Sequence, residues 1–102
     1  MNEELKTLEE FLTAILSNIV SQPEKIELHF SDVEDEQKGE ITIVNIKVAT
    51  EDIPVCIGAG GTVADSIRRL AVLVCRKIGY TRNLFVRVDA PKMPKNHFEF
   101  RK

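Results

Sequence analysis

Long apolar runs are missing from this sequence of 102 residues, and with them any segment able to span a bilayer. No secretory leader is expected either. Glu3 and Glu4 stand where such a leader carries basic residues, and the apolar positions behind them are spaced, so a cytoplasmic location is expected. Cysteine is scarce. Cys56 and Cys75 lie far apart, no Cys or His pair has zinc-ligand spacing, and both thiols are expected to be small buried hydrophobes. Histidine is limited to His29, in a strand-like pattern, and His97, near the end. No nucleophile sits beside a base, so no catalytic residue, metal ligand or cofactor is expected. There is no internal repeat, and one small domain with one core fits the length.

Charge of one sign is also in short supply, with a net of −2 and a pI near 5.7. That total argues against a strong polyanion binder. Its distribution says more. Residues 1–40 hold 11 acids and 3 bases, whereas residues 41–102 hold 5 acids and 11 bases. Such polarity suggests a basic surface turned toward one partner and an acidic one turned away.

The apolar positions define the elements. Leu5, Leu8, Leu12, Ile15 and Ile19 recur every three or four residues, widened by Phe11, Leu16 and Val20, which predicts an amphipathic helix from Asn2 to about Gln22, stopped by Pro23. Ile26, Leu28 and Phe30 alternate with polar residues and predict a strand. The acidic stretch Asp32 to Glu40 reads as an exposed hairpin loop. Thr42, Val44, Ile46 and Val48 form one face of a second strand. Thr50, Glu51 and Asp52 read as a capped start to a short helix. After the glycines a longer helix begins at Gly61 or Thr62, with Val63, Ile67, Leu70, Val74 and Ile78 on one face and Gly79 as its stop. Leu84, Val86 and Val88 predict a third strand. Residues 91–102 have two prolines and no period, and read as a flexible tail of interleaved basic and aromatic residues.

The stretch VCIGAGGTVADSI, Val55 to Ile67, carries three glycines in four positions. Glycines there let a backbone approach an anion closely, and two ligands fit: a dinucleotide pyrophosphate or a nucleic-acid strand. The dinucleotide fares badly. Val63 stands where the third glycine of the G-x-G-x-x-G fingerprint belongs, the run before Gly58 starts from a helix cap, and little chain follows Asp89 for a doubly wound sheet. No Lys-Ser or Lys-Thr follows the glycines, which excludes a P-loop. The other reading is a G-x-x-G turn, Gly58-Ala59-Gly60-Gly61, joining two helices beside a sheet edge.

With that turn, the helices around it and the preceding helix-strand-strand, the sequence resembles a KH domain of type II topology. More narrowly, it resembles the small single-KH RNA-binding proteins of bacteria, the KhpA-like family. The resemblance implies an α+β fold in the order α-β-β-α-α-β, with a three-stranded mixed sheet and helices packed on one face. The KH domain would span residues 1–90, including the N-terminal helix. Single-stranded RNA would bind without catalysis in a groove beside the turn, clamped over about four nucleotides. The implied site is Ile57, Gly58, Ala59, Gly60, Gly61 and Thr62, with Arg68 and Arg69 supplying positive charge. A homodimer or a second KH-containing protein is the implied protein partner, with no membrane association.

Ala59, Thr62 and Asp65 occupy positions where the family usually presents basic side chains, and the Asp32–Glu40 loop is expected to flank the groove with acid. Weak or selective binding is therefore expected, since each missing phosphate contact lowers affinity. The alternative is a degenerate KH domain serving mainly as a dimerisation or protein-docking unit. Val72 and Leu73, on the polar side of their helix, would suit such a patch. Ile41, Ile43 and Phe85, sharing the outer face of the sheet, are open to cover by the tail or another subunit.

Overall fold

The central strand of the sheet decides the architecture. In the computed structural model, which describes residues 3–89, Thr42, Val44 and Ile46 are fully buried on one face of β2 (Gly39–Lys47). β1 (Glu27–Asp35) pairs antiparallel on one side, from Glu27 opposite Lys47 to Asp35 opposite Gly39. β3 (Asn83–Val88) pairs parallel on the other, from Ile41 opposite Asn83 to Ile46 opposite Val88. The order β1-β2-β3 is a mixed sheet whose free edges are β1 and β3. Three helices supply the other layer: α1 (Glu3–Ser17), α2 (Ile53–Ile57) and α3 (Thr62–Ile78). Leu8, Leu12 and Leu16 of α1, Cys56 of α2 and Ile67 and Ala71 of α3 join Val44, Ile46 and Val86 in a single core. This is the expected α-β-β-α-α-β order with the helices on one face. Both thiols are buried and free, and burial pushes each thiol pKa up.

Four sequence expectations change in detail. α1 ends at Ser17, well before Pro23, because Ser17 Oγ and Asn18 Nδ2 both donate to the Ala14 carbonyl (3.1 and 2.7 Å). Short polar side chains that bond to nearby carbonyls compete with further helical turns. Ile19 consequently leaves the buried stripe. Pro23 opens a separate single 3₁₀ turn, Pro23–Lys25.

The acidic stretch is mostly strand. β1 continues through Asp32, Val33 and Glu34, all paired with β2, and only Glu36, Gln37 and Lys38 lie between the strands. Asp35 Oδ1 closes this tight turn by accepting from the amides of Gln37 (2.7 Å) and Lys38 (3.1 Å). Charged residues on an edge strand read as loop because the single apolar Val33 marks no alternation.

The buried stripe of α3 is Ile67, Ala71 and Cys75, while Leu70 is 42% exposed. Small side chains at 71 and 75 allow a close approach, so the helix faces the core along them. Gly79 ends α3 as expected, in a left-handed conformation (φ 79°), with the Tyr80 amide donating to the Cys75 carbonyl at 2.9 Å.

The helix start expected at Thr50 takes another form. Thr50–Asp52 is a 3₁₀ turn with no side-chain cap. The Asp52 carboxylate instead accepts from Ser21 N (2.9 Å), Ser21 Oγ (2.8 Å) and Gln22 N (3.1 Å), fixing the chain that leaves α1. The boundary at residues 90 and 91 and the tail to residue 102 lie outside the described residues.

Candidate functional site

α2 is barely more than one turn, with Pro54 in its first turn, where a missing N–H costs no hydrogen bond. It ends as the Gly58 amide donates to the Pro54 carbonyl at 2.8 Å. Gly58 then takes φ 79° and ψ 168°, and a Cβ there would meet Val63 Cγ2 at 2.5 Å and Val63 N at 2.7 Å. Gly60 and Gly61 follow with φ 64° and 82°, and added Cβ atoms at either would meet nothing within 4 Å. The first glycine is thus required by conformation and close packing, the other two by conformation alone. Val63, which spoils the dinucleotide fingerprint, is the residue packed on the turn.

The backbone hydrogen bonds narrow what the turn offers. Gly61 N–H donates to the Gly58 carbonyl at 3.0 Å, and Thr62 N–H to that of Ala59. Among the described residues, the amides of Ala59 and Gly60 are left without a backbone acceptor. They stand at the N-terminus of the 17-residue α3, where the helix dipole favours an anion.

Beside them opens a groove of about 490 Å³. Ile57, Gly60, Gly61 and Thr62 form its turn side, Ala64, Asp65 and Arg68 its α3 side, and Arg87 and Val88 its wall on β3. Five of the eight residues expected at the site, Ile57, Gly60, Gly61, Thr62 and Arg68, line it together. Gly58 packs against Val63, Ala59 sits in the turn without lining the groove, and Arg69 lies outside with its side chain 80% exposed.

A family model described as KhpA/KhpB, KH domain, matches residues 9–88. The chain belongs to this family. No curated protein matches the chain, and neither does any solved structure. The mixed sheet, the three helices and the glycine turn are those of a type II KH domain, and with the family comes a general role in binding nucleic acid. Among the described residues, no helix is long and apolar enough to cross a membrane, and no group of His, Cys, Asp or Glu is arranged to hold a metal ion.

The charges of this KH domain depart from expectation in three ways. Asp65 Oδ1 accepts from Arg68 Nη1 and Asp65 Oδ2 pairs with Arg69 Nη2, each at 3.1 Å, so one carboxylate occupies both arginines. Arg68 is held further by Nε donating to the Val86 carbonyl at 3.1 Å. Arg87, which no sequence motif singles out, has no acidic partner among the described residues and donates from Nε to Asn45 Oδ1 at 3.0 Å. Its only sequence signal is its outward place on the strand two residues beyond Phe85.

The acidic hairpin does not flank this groove. The register puts it at the Asn83 end of β3 and the glycine turn at the Val88 end, about 17 Å apart at strand spacing. Two of its acids, Asp32 and Glu40, are occupied as well. Arg82 pairs with Asp32 (3.0 Å) and with Glu40 (3.2 Å), and Thr42 Oγ1 donates to Asp32 Oδ1 (2.9 Å).

Proposed function

We propose that this KH domain holds a short single strand of RNA in the groove between the glycine turn and β3. The unpartnered amides of Ala59 and Gly60, beside an open groove at a helix N-terminus, carry the reading. A phosphate there receives two N–H donors without an intervening side chain. Ile57, Val88 and Ala64 give the bases an apolar floor, and Arg87 adds the groove's cation without an acidic partner. Asp65 opposes the strand and occupies Arg68 and Arg69, so affinity is low and depends on what the groove walls accept. The ligand is cytoplasmic RNA, held over about four nucleotides and not chemically altered.

The test is a titration with short single-stranded RNA at low salt, read from backbone amide shifts. Movement concentrated at Gly58 to Thr62, abolished in the folded variant carrying Ala59→Asp and Gly60→Asp, supports the reading. An absence of movement there at any RNA concentration overturns it.

A second reading rests on the same carboxylate. With Asp65 saturating Arg68 and Arg69, the domain works mainly as a docking unit for a second copy or another KH-containing protein. Leu73, 54% exposed, and Val72 beside it on α3 would take part. Binding of protein but not RNA, with a molar mass above that of one chain, separates this reading from the first.

A further inference from the structure

Phe85 is the one exposed phenylalanine or tyrosine ring among the described residues, at 46% exposure on the outer face of β3. The Arg68 guanidinium lies over it, 6.0 Å from the ring centroid. Arg68 also lines the groove beside the glycine turn. Phe85 lines a second and wider groove, of about 820 Å³, with Val72 and Arg76 of α3 and with Leu84, Asn83 and Lys38. Arg68 therefore stands where the two grooves meet. On α3 the positions 68, 72 and 76 are each one helical turn apart and share a face. On β3 the two grooves take opposite ends of the same free edge, Val88 and Arg87 in one, Phe85 and Leu84 in the other.

We infer that the second groove continues the RNA path, with Phe85 as a stacking platform for a base beyond those held at the glycine turn. This rests on the proposed function and extends it to a longer strand. The chemistry favours nucleic acid over a protein partner. The ring is flanked by a guanidinium, as in sites that stack a base and attract its phosphate. Arg76 has no ion pair among the described residues, so it is available to a phosphate. The acid in this groove, Asp35, already receives two backbone amides, and Arg82 is committed to Asp32 and Glu40. Continuity with the first groove supplies the direction of the strand.

The test compares random-sequence single-stranded RNA of about four and about eight nucleotides on the full chain, the shorter matching the length a KH groove clamps. The longer RNA binds about tenfold tighter, the effect of one added stacked base. Phe85→Leu removes this gain and leaves the shorter RNA's affinity unchanged, whereas Phe85→Tyr keeps it. Arg76→Gln flattens the salt dependence for the longer RNA alone, by a slope of about 0.7. The exposure of Phe85 makes a folding defect easy to exclude by circular dichroism. A length gain that survives Phe85→Leu overturns the inference and leaves the groove reading standing. A change of molar mass in Phe85→Leu, with its RNA affinities unaltered, assigns the ring to a protein interface and also overturns the inference. Failure of the wild-type chain to bind either length removes the groove reading itself.

Discussion

Asp65 holds Arg68 through a 3.1 Å ion pair one turn into α3, and the same carboxylate reaches Arg69 at the same distance. All three side chains are partly or largely solvent-exposed, so the pairs contribute only about 0–1 kcal/mol each to stability. Their larger effect is on binding, because any phosphate that uses either arginine must displace a carboxylate. Asp65→Asn is therefore expected to raise RNA affinity by about tenfold and to steepen its salt dependence by about 0.7 per arginine engaged. Fluorescence anisotropy across a salt series checks this. Unchanged affinity and slope would show that Asp65 does not compete with the strand.

The glycines of the turn separate by substitution. Gly58→Ala places a methyl group against Val63 in a backbone region that side chains rarely adopt. The expected loss is about 3 kcal/mol, from backbone strain and overpacking together. Gly60→Asp meets nothing within 4 Å and takes a left-handed conformation that Asp tolerates. It is expected to cost about 1 kcal/mol of stability while abolishing RNA binding by charge repulsion. Urea denaturation beside an RNA titration distinguishes the two. Equal stability loss at both sites would contradict the packing argument.

Most of the fold was legible because periodicity reports burial directly: Thr42, Val44 and Ile46 at period two, Leu5, Leu8 and Leu12 at helical spacing. What escaped depended on contacts between distant segments. The extension of β1 through Asp32 to Asp35 rests on pairing with β2 and on ties to Tyr80 and Arg82, none of which leaves a local pattern. Ala71 and Cys75 are too small to weigh in an apolar stripe, yet their smallness sets how α3 lies. At the site, the backbone element was readable from glycine spacing alone. The electrostatics were readable only in part: Asp65 stands three and four residues before its arginines on a helix the pattern predicts, but Arg87 joins the groove only through the parallel register.

Thr42 and Tyr80 illustrate such a contact. Thr42 Oγ1 is fully buried, donates to Asp32 Oδ1, and accepts from Tyr80 Oη at 2.5 Å. Thr42→Val leaves the Tyr80 hydroxyl without this partner and is expected to cost about 1–3 kcal/mol. Adding Tyr80→Phe removes the stranded group. The double variant is expected to be more stable than the sum of the single losses predicts, by roughly 0.5–3 kcal/mol. Chemical denaturation of all four proteins checks this, and strict additivity would dissolve the link.

Acid sensitivity follows from Asp52. Its carboxylate is buried and accepts three hydrogen bonds, and the Ser21 amide above all holds its pKa below the usual carboxylate range against the opposing effect of burial. A group whose pKa is depressed by folding stabilises the fold fully above its unfolded pKa, about 4, and ceases to do so as pH falls through the folded value. Asp52→Asn is accordingly expected to lower the melting temperature at neutral pH. At a pH below both values the two proteins should converge, since the wild-type carboxyl is then protonated and as neutral as the amide. Thermal melts from pH 7 down to about pH 2 read both limits. A melting-temperature difference that persists undiminished into acid would mean that shape, not charge, is what Asp52 contributes where α1 meets the 3₁₀ turn before α2.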